Sequence, residues 1–188
     1  MVQRMIFGFD GNGIVEFPVE INWDLGFDRA AKLEYINRVC DAAYCRYGLD
    51  EVLDVTTANS SIENGRILSP HILKCYGGNM SVDDYFSEHG KNTLSPVMQK
   101  VAFAYYYMFS ICHNAEAYIL FDRYNYFFDV FWKIGCGDTQ AYTCALLKKA
   151  ICENKHKEFF KEFSGIGLIE FKNWFIKNYS MCGVKLKG

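Results

Sequence analysis

Residues 95–114 read SPVMQKVAFAYYYMFSICHN, and the rest of the chain has to be built around them. Ser95 followed by Pro96 is a helix start: the hydroxyl caps a free amide, and a first-turn proline gives up no hydrogen bond. From Val101 to Cys112 the run is apolar nearly all round, relieved by tyrosine and serine hydroxyls. A helix of that kind has no face to offer water, so the stretch predicts a central, covered helix through about Cys112. Its tyrosines and the His113–Asn114 that closes it make a poor membrane span. Working outward, Asn114 predicts the cap of a short helix over 115–123, and Asp138 or Thr139 the cap of another running to about Cys152. Two more helices are predicted over 155–163 and 168–179. On the upstream side the pattern is helical from Val82, with Asp83 and Asp84 in a first turn where the helix dipole favours acids.

The front of the chain reads differently. Met5–Phe9 and Ile14–Trp23 are strand-like and joined by Asp10-Gly11-Asn12-Gly13, a hairpin signal. Pro18 puts the second run at a sheet edge or breaks it. Asp28 and Gly48 bracket a helix with Leu33, Ile36, Cys40, Ala43 and Tyr47 on one face. Val52–Thr56 reads as a short strand, 57–61 as a polar loop, and 67–76 as an extended segment. The sum is an α+β fold, mostly helical, with a few antiparallel strands near the N-terminus.

The chain has 188 residues, 51% apolar and 17% aromatic. That is enough for one filled core, and with no Pro/Gly/Ser-rich linker it predicts a single domain over 1–188. A net charge of −2 gives no global field for nucleic acid. Lys148, Lys149, Lys155, Lys157 and Lys161 crowd one region, read as a solvated helix face before a binding patch. The eight cysteines include no C-x-x-C pair; Cys152 and His156 are a helical turn apart but lack two further ligands, so neither metal nor cofactor is expected. Without a cationic leader or a bilayer-length apolar run, the expectation is a reduced, cytoplasmic protein with no membrane partner.

Chemistry is sought first in residues 127–147, FFDVFWKIGCGDTQAYTCALL. A packed core rarely keeps an unpaired acid, so Asp129 is either hydrogen-bonded locally or serves a ligand. Gly135-Cys136-Gly137-Asp138-Thr139 turns the chain into a helix start, where free amides suit an anion unless Asp138 and Thr139 cap them themselves. Asp83 or Asp84 pairs with Asp129 in the sharper reading, as the two carboxylates of an N-glycosidic cleavage through a ribosyl oxocarbenium-like state. Cys112 and His113 are adjacent on one helix, diverge, and form no dyad. Cys136 at a helix start is the other thiol to consider.

Four blocks then resemble one family. They are INWDLGFDRAAKLEYINRVCDAA; VLDVTTANSS with ILSPHIL; MSVDDYFSEHG; and AFAYYYMFSICHNAEAYILFDRYNYFFDVFW with TQAYTCALL. Together, over about residues 20–150, they are similar to the DarT-associated NADAR antitoxins, a branch of the NADAR superfamily of ADP-ribose-linked N-glycosidases. The third block stands where that branch has S-V-E-x-A-F-Q-G-S-K. Its glutamate falls on Asp83, its glutamine on Ser87 and its lysine on Gly90, with Lys91 next; a helix tryptophan falls on Tyr106. Asp129 and Gln140 match, and Phe86 keeps the ring.

The resemblance implies a NADAR-like domain with 151–188 as a helical C-terminal extension. It implies Asp83 and Asp129 as catalytic acids. Phe86, Tyr106 and Trp132 would be stacking walls, Gly135, Gly137, Asp138 and Thr139 the diphosphate turn, and Ser69, Lys91 and Gln140 further substrate contacts. The implied partners are ADP-ribose, an ADP-ribosylated nucleobase or DNA, and a DarT-like toxin. The implied activity is removal of ADP-ribose from a nucleobase, with guanine in DNA as the implied base. The alternatives are an N-glycosidase on a small ribosyl-phosphate metabolite, a non-catalytic module that grips ADP-ribose or the toxin, and an interaction protein with no nucleotide site.

Overall fold

The computed structural model describes residues 1–55, 63–75, 78–89, 94–131, 140–162, 165–181 and 183–186. The fold is α+β, mostly helical, with a small mixed sheet built on the N-terminal hairpin. Strands β1 (Val2–Phe9) and β2 (Ile14–Ile21) pair antiparallel with Phe9 opposite Ile14. The Asp10–Gly13 turn closes on itself: Asp10 Oδ1 accepts from the amides of Asn12 and Gly13, each at 2.9 Å. Gly11 takes φ 93°, a conformation open to glycine at little cost. Asp28 caps α1 (Arg29–Tyr47) by accepting from the Ala31 amide at 2.8 Å, and Gly48 ends it in the left-handed conformation at φ 70°.

β3 (Val52–Asp54) and β4 (Tyr126–Phe128) complete the sheet in the order β2-β1-β4-β3. β4 runs antiparallel to β1 and parallel to β3, so the sheet is mixed beyond its hairpin, and β2 with Pro18 lies at an edge. β4 is too short and too aromatic to show a strand's alternation, but its side chains do alternate. Phe127 points with Phe7, Met5 and Leu53 into one core, while Phe128 points with Ile6 and Val19 into another. Both faces of the sheet are therefore covered, which explains the nearly unbroken apolar run of β1. α1 covers the second face with Tyr35, Ile36, Val39 and Ala43. Leu33, placed on that stripe from the sequence, is 37% exposed.

The segment after β3 includes α2 (Glu63–Arg66). The extended reading of 67–76 is corrected over the described residues 67–75: the chain turns repeatedly, with Ser69 O accepting from the amides of Ile72 and Leu73. That coil delivers α3 (Val82–His89), whose first amides bond back to Leu73 O at 2.9 Å and Pro70 O at 3.0 Å. α4 (Pro96–His113), capped by Ser95, is the covered central helix: Val101, Ala104, Tyr105, Tyr107, Met108, Phe109 and Ile111 are all buried. α5 (Ala115–Arg123) follows with Asn114 as its cap, then α6 (Gln140–Cys152), packed on β1 and β4. α7 (His156–Phe159) and α8 (Gly165–Asn178) pack on each other, and α8 packs on α4. A short ribbon, β5 (Ser180–Met181) with β6 (Val184–Lys185), ends the described chain and was not anticipated. Among the described residues no helix is long and apolar enough to cross a membrane.

Gly8 tests the sheet. It lies opposite Tyr126, and a Cβ there would come 2.3 Å from the Tyr126 ring. Gly8→Val is expected to cost about 1–3 kcal/mol through overpacking, read as a lower urea midpoint with an unchanged slope.

Candidate functional site

The two acids at the start of α3 have separate tasks. Asp84 closes a local box with Ser81: its carboxylate accepts from Ser81 Oγ at 2.6 Å, and its amide donates to the same hydroxyl at 3.1 Å. Asp83 is left out of that box. Its side chain is 40% exposed, and Oδ2 lies 3.2 Å from Nδ1 of His71, a residue of the preceding coil. The next turn of α3 presents Phe86, whose ring meets the Phe103 ring edge-on at 5.4 Å.

Asp83 and Phe86 open onto a cavity of ≈ 420 Å³, within the range of small-molecule pockets. α4 supplies Pro96, Gln99, Lys100 and Phe103; α6 supplies Gln140, Tyr142 and Thr143; α8 and the residue after it supply Phe175 and Tyr179. The N-terminal ends of α3, α4 and α6 all reach this hollow, so their dipoles favour negative charge there. Lys100 adds a formal cation, its Nζ 5.5 Å from the centre of the Tyr179 ring. Tyr142 forms floor and joint together: its hydroxyl accepts from the Ser180 amide at 2.7 Å, and its ring meets Phe7 and Tyr179 edge-on.

Of the residues singled out from the sequence, Asp83, Phe86 and Gln140 line this cavity, as does Ser87 at the position of the family glutamine. Asp129, Tyr106 and Ser69 are not among the described residues that line it. Tyr106 packs edge-on against Tyr85 of α3 and beside Tyr105. Ser69 is fully buried, and its hydroxyl has no hydrogen-bond partner among the described residues. Its neighbour Leu68 accepts from the Tyr107 hydroxyl at 2.6 Å. Burial pushes the Tyr107 hydroxyl far above its ordinary range, with Cys144 and Asp129 adding to it. Tyr107 in turn stacks on Phe103, so its ring lies one layer behind the cavity wall. Lys91, Trp132, Gly135, Gly137, Asp138 and Thr139 lie outside the described residues, as do the 57–61 loop and Cys136.

The carboxylate of Asp129 accepts from the Phe131 amide at 3.0 Å, a local turn that ends β4. It also stands near Arg4, which is 1% exposed, bonds Val130 O through Nε, and lies 4.4 Å over the Trp23 ring. Burial lowers the Arg4 pKa, and the charge of Asp129 works against that. The lone acid of the aromatic run is therefore bonded locally, and its charge favours the ionised form of a buried guanidinium on β1. Nothing in the 127–147 stretch points to Arg4, because the partner comes from the other end of the chain.

Three of the five lysines of the basic cluster are tied down. Lys148 donates to Asp122 O at 3.0 Å, Lys149 pairs with Glu153 at 2.6 Å, and Lys155 pairs with Glu158 at 2.8 Å. Among the described residues no three His, Cys, Asp or Glu side chains are grouped to hold a metal ion. Burial raises the thiols of Cys112 and Cys144 to about 12 and that of Cys40 to about 11. At pH 8 those three thiols remain protonated and poor nucleophiles. Iodoacetamide at pH 8, read by mass spectrometry, is expected to modify the exposed Cys45 and Cys152 and to reach Cys112 and Cys144 only after denaturation.

Sequence reasoning missed Lys100, Phe175 and Tyr179. The signal was present for the first: Pro96, Gln99, Lys100 and Phe103 recur at helical spacing along one side of α4. Phe175 and Tyr179 are also a turn apart, but nothing local says which neighbour they face. Searched against protein-family models and curated proteins, the chain matches no family model and no curated sequence.

Proposed function

We propose that the cavity receives the ADP-ribosyl group of a modified nucleobase and that the protein is an N-glycosidase releasing ADP-ribose, with guanine in DNA as the modified base, as antitoxin to a DarT-like ADP-ribosyltransferase. The observation that supports this reading is the meeting of Asp83, Phe86 and Gln140 in one hollow, from two helices far apart in sequence. Each is the residue type such a site needs at its place: a carboxylate, a ring and an amide.

In the proposed step the Asp83 carboxylate stabilises the oxocarbenium-like sugar and takes a proton from water as its oxygen adds to the anomeric carbon. The C–N bond breaks with its electron pair going to the nucleobase, and the proton is passed on to the base nitrogen. Water is thus divided between sugar and base. His71, at 3.2 Å, fixes the carboxylate's orientation. Phe86 and Phe103 wall the base or sugar, and the three helix ends with Lys100 suit the diphosphate. A small ribosyl-phosphate metabolite meets the same chemistry and suits the net charge of −2 better than DNA does.

One observation favours a second reading, a module that binds ADP-ribose or a toxin without cleaving. Among the described lining residues Asp83 is the single carboxylate, and Asp129 is not one of them. The deciding experiment incubates the purified protein with ADP-ribosylated DNA and with a ribosylated small molecule, and measures free ADP-ribose by mass spectrometry. Release supports the glycosidase. A folded sample that binds ADP-ribose but releases none from any substrate supports the binding module.

A further inference from the structure

The C-terminal segment, outside the resemblance, contributes directly to the cavity. Phe175 and Tyr179 line it, and the Ser180 amide anchors the segment to the Tyr142 hydroxyl at 2.7 Å. Tyr179 is 3% exposed, is held edge-on by Tyr142 at 5.1 Å, and has Phe175 at 5.4 Å behind it. A ring so fixed cannot follow a ligand. It gives the ammonium of Lys100 a defined place, 5.5 Å from the ring centre, by cation–π attraction. Lys100 itself belongs to the second turn of α4, close to the helix end that already favours negative charge. Among the described lining residues the charges are Asp83 from α3 and Lys100 from α4, so the hollow is polarised between two elements.

We infer that Lys100 is the residue by which this cavity selects phosphate-bearing ligands, and that Tyr179 of the C-terminal segment is its positioning residue. The inference deepens the proposed function and rests on it for the identity of the ligand. It orients that ligand with its phosphates toward Lys100 and its sugar toward Asp83. An ammonium swinging free on its four-carbon stem discriminates weakly; one parked against a locked ring pays its ordering cost before the ligand arrives.

The test measures the affinities of ADP-ribose, ADP, pyrophosphate and adenosine by calorimetry for the full chain and four variants. For the wild type, phosphate-bearing ligands are expected to bind at least about 10-fold tighter than adenosine. Lys100→Gln is expected to reduce that ratio to near one, and Lys100→Arg to keep most of it. Tyr179→Leu should lose about 3- to 10-fold on the phosphate ligands alone, whereas Tyr179→Phe, which keeps the ring, should match wild type. Lys100 is only partly buried, so its variants remain informative even where Tyr179→Leu fails to fold.

Two results would overturn the inference: no phosphate ligand preferred over adenosine by the wild type, or a preference untouched in Lys100→Gln. If ADP or pyrophosphate binds in a Lys100-dependent way while ADP-ribose does not, the inference stands and the ADP-ribose reading falls. If ADP-ribose binds independently of Lys100, the ADP-ribose reading stands and the inference falls.

Discussion

Asp83→Ala is expected to lower ADP-ribose release by at least about 100-fold, the usual weight of a positioned carboxylate in proton transfer. Its melting temperature should stay close to wild type. The helix start explains the separation. Asp84 and Ser81 cap one another, so α3 keeps its cap when Asp83 is lost, and a side chain 40% exposed leaves no buried partner stranded. Asp84→Ala gives the reverse pattern: it breaks the box and costs about 1 kcal/mol, with release by the folded fraction unchanged. Asp83→Asn should keep ADP-ribose affinity and lose turnover. Comparable activity losses in the Asp83 and Asp84 variants would say that α3 matters only as a scaffold. Asp129→Asn is placed between the two cases: by removing a charge that favours the ionised form of buried Arg4 it should lower the melting temperature whatever it does to activity.

The largest stability loss is expected at Tyr105. Its ring is 1% exposed and meets Phe109, Phe160 and Phe171 at 5.5–6.0 Å, so it joins α4 to the C-terminal helices. Its hydroxyl donates to Phe159 O at 3.3 Å. Tyr105→Ala removes the ring and leaves a void, an expected cost of about 3–5 kcal/mol. In a chain of this length that corresponds to a fall in melting temperature of roughly 10 °C. Tyr105→Phe keeps the packing and loses one long hydrogen bond, about 1 kcal/mol. Calorimetric melting of both variants checks the pair; a similar small shift in each would mean that the helices are held elsewhere.

What could be read in advance, and what could not, follows from the range of the forces involved. The hairpin, the caps at Asp28, Ser95 and Asn114, and the all-round apolar helix were legible because a turn, a cap or a buried stripe is written within a few residues. The coil over 67–75 was not: its bonds run from Ser69 O to nearby amides and from α3 back to Leu73 and Pro70, and no periodicity announces them. β4 was implied by the family likeness of the aromatic run and not by its periodicity, since a strand covered on both faces loses its alternation.

The same distinction divides the site. Asp83, Phe86 and Gln140 were found through motif likeness and do share a hollow. Asp129 stood out earlier, as a lone acid in an aromatic run, but its setting involves the charge of Arg4 on β1, far from it in sequence. Phe175 and Tyr179 read as ordinary core rings until α8 is seen against α4, because burial and ligand contact leave the same sequence trace.

The most direct measurement is an experimental structure of the protein with ADP-ribose. The account predicts the ligand in the cavity between α3, α4, α6 and α8, with its ribose against Asp83 and its diphosphate toward Lys100. ADP-ribose bound elsewhere, for instance beside Asp129 and Tyr107 behind Phe103, with this cavity left to solvent, would contradict it.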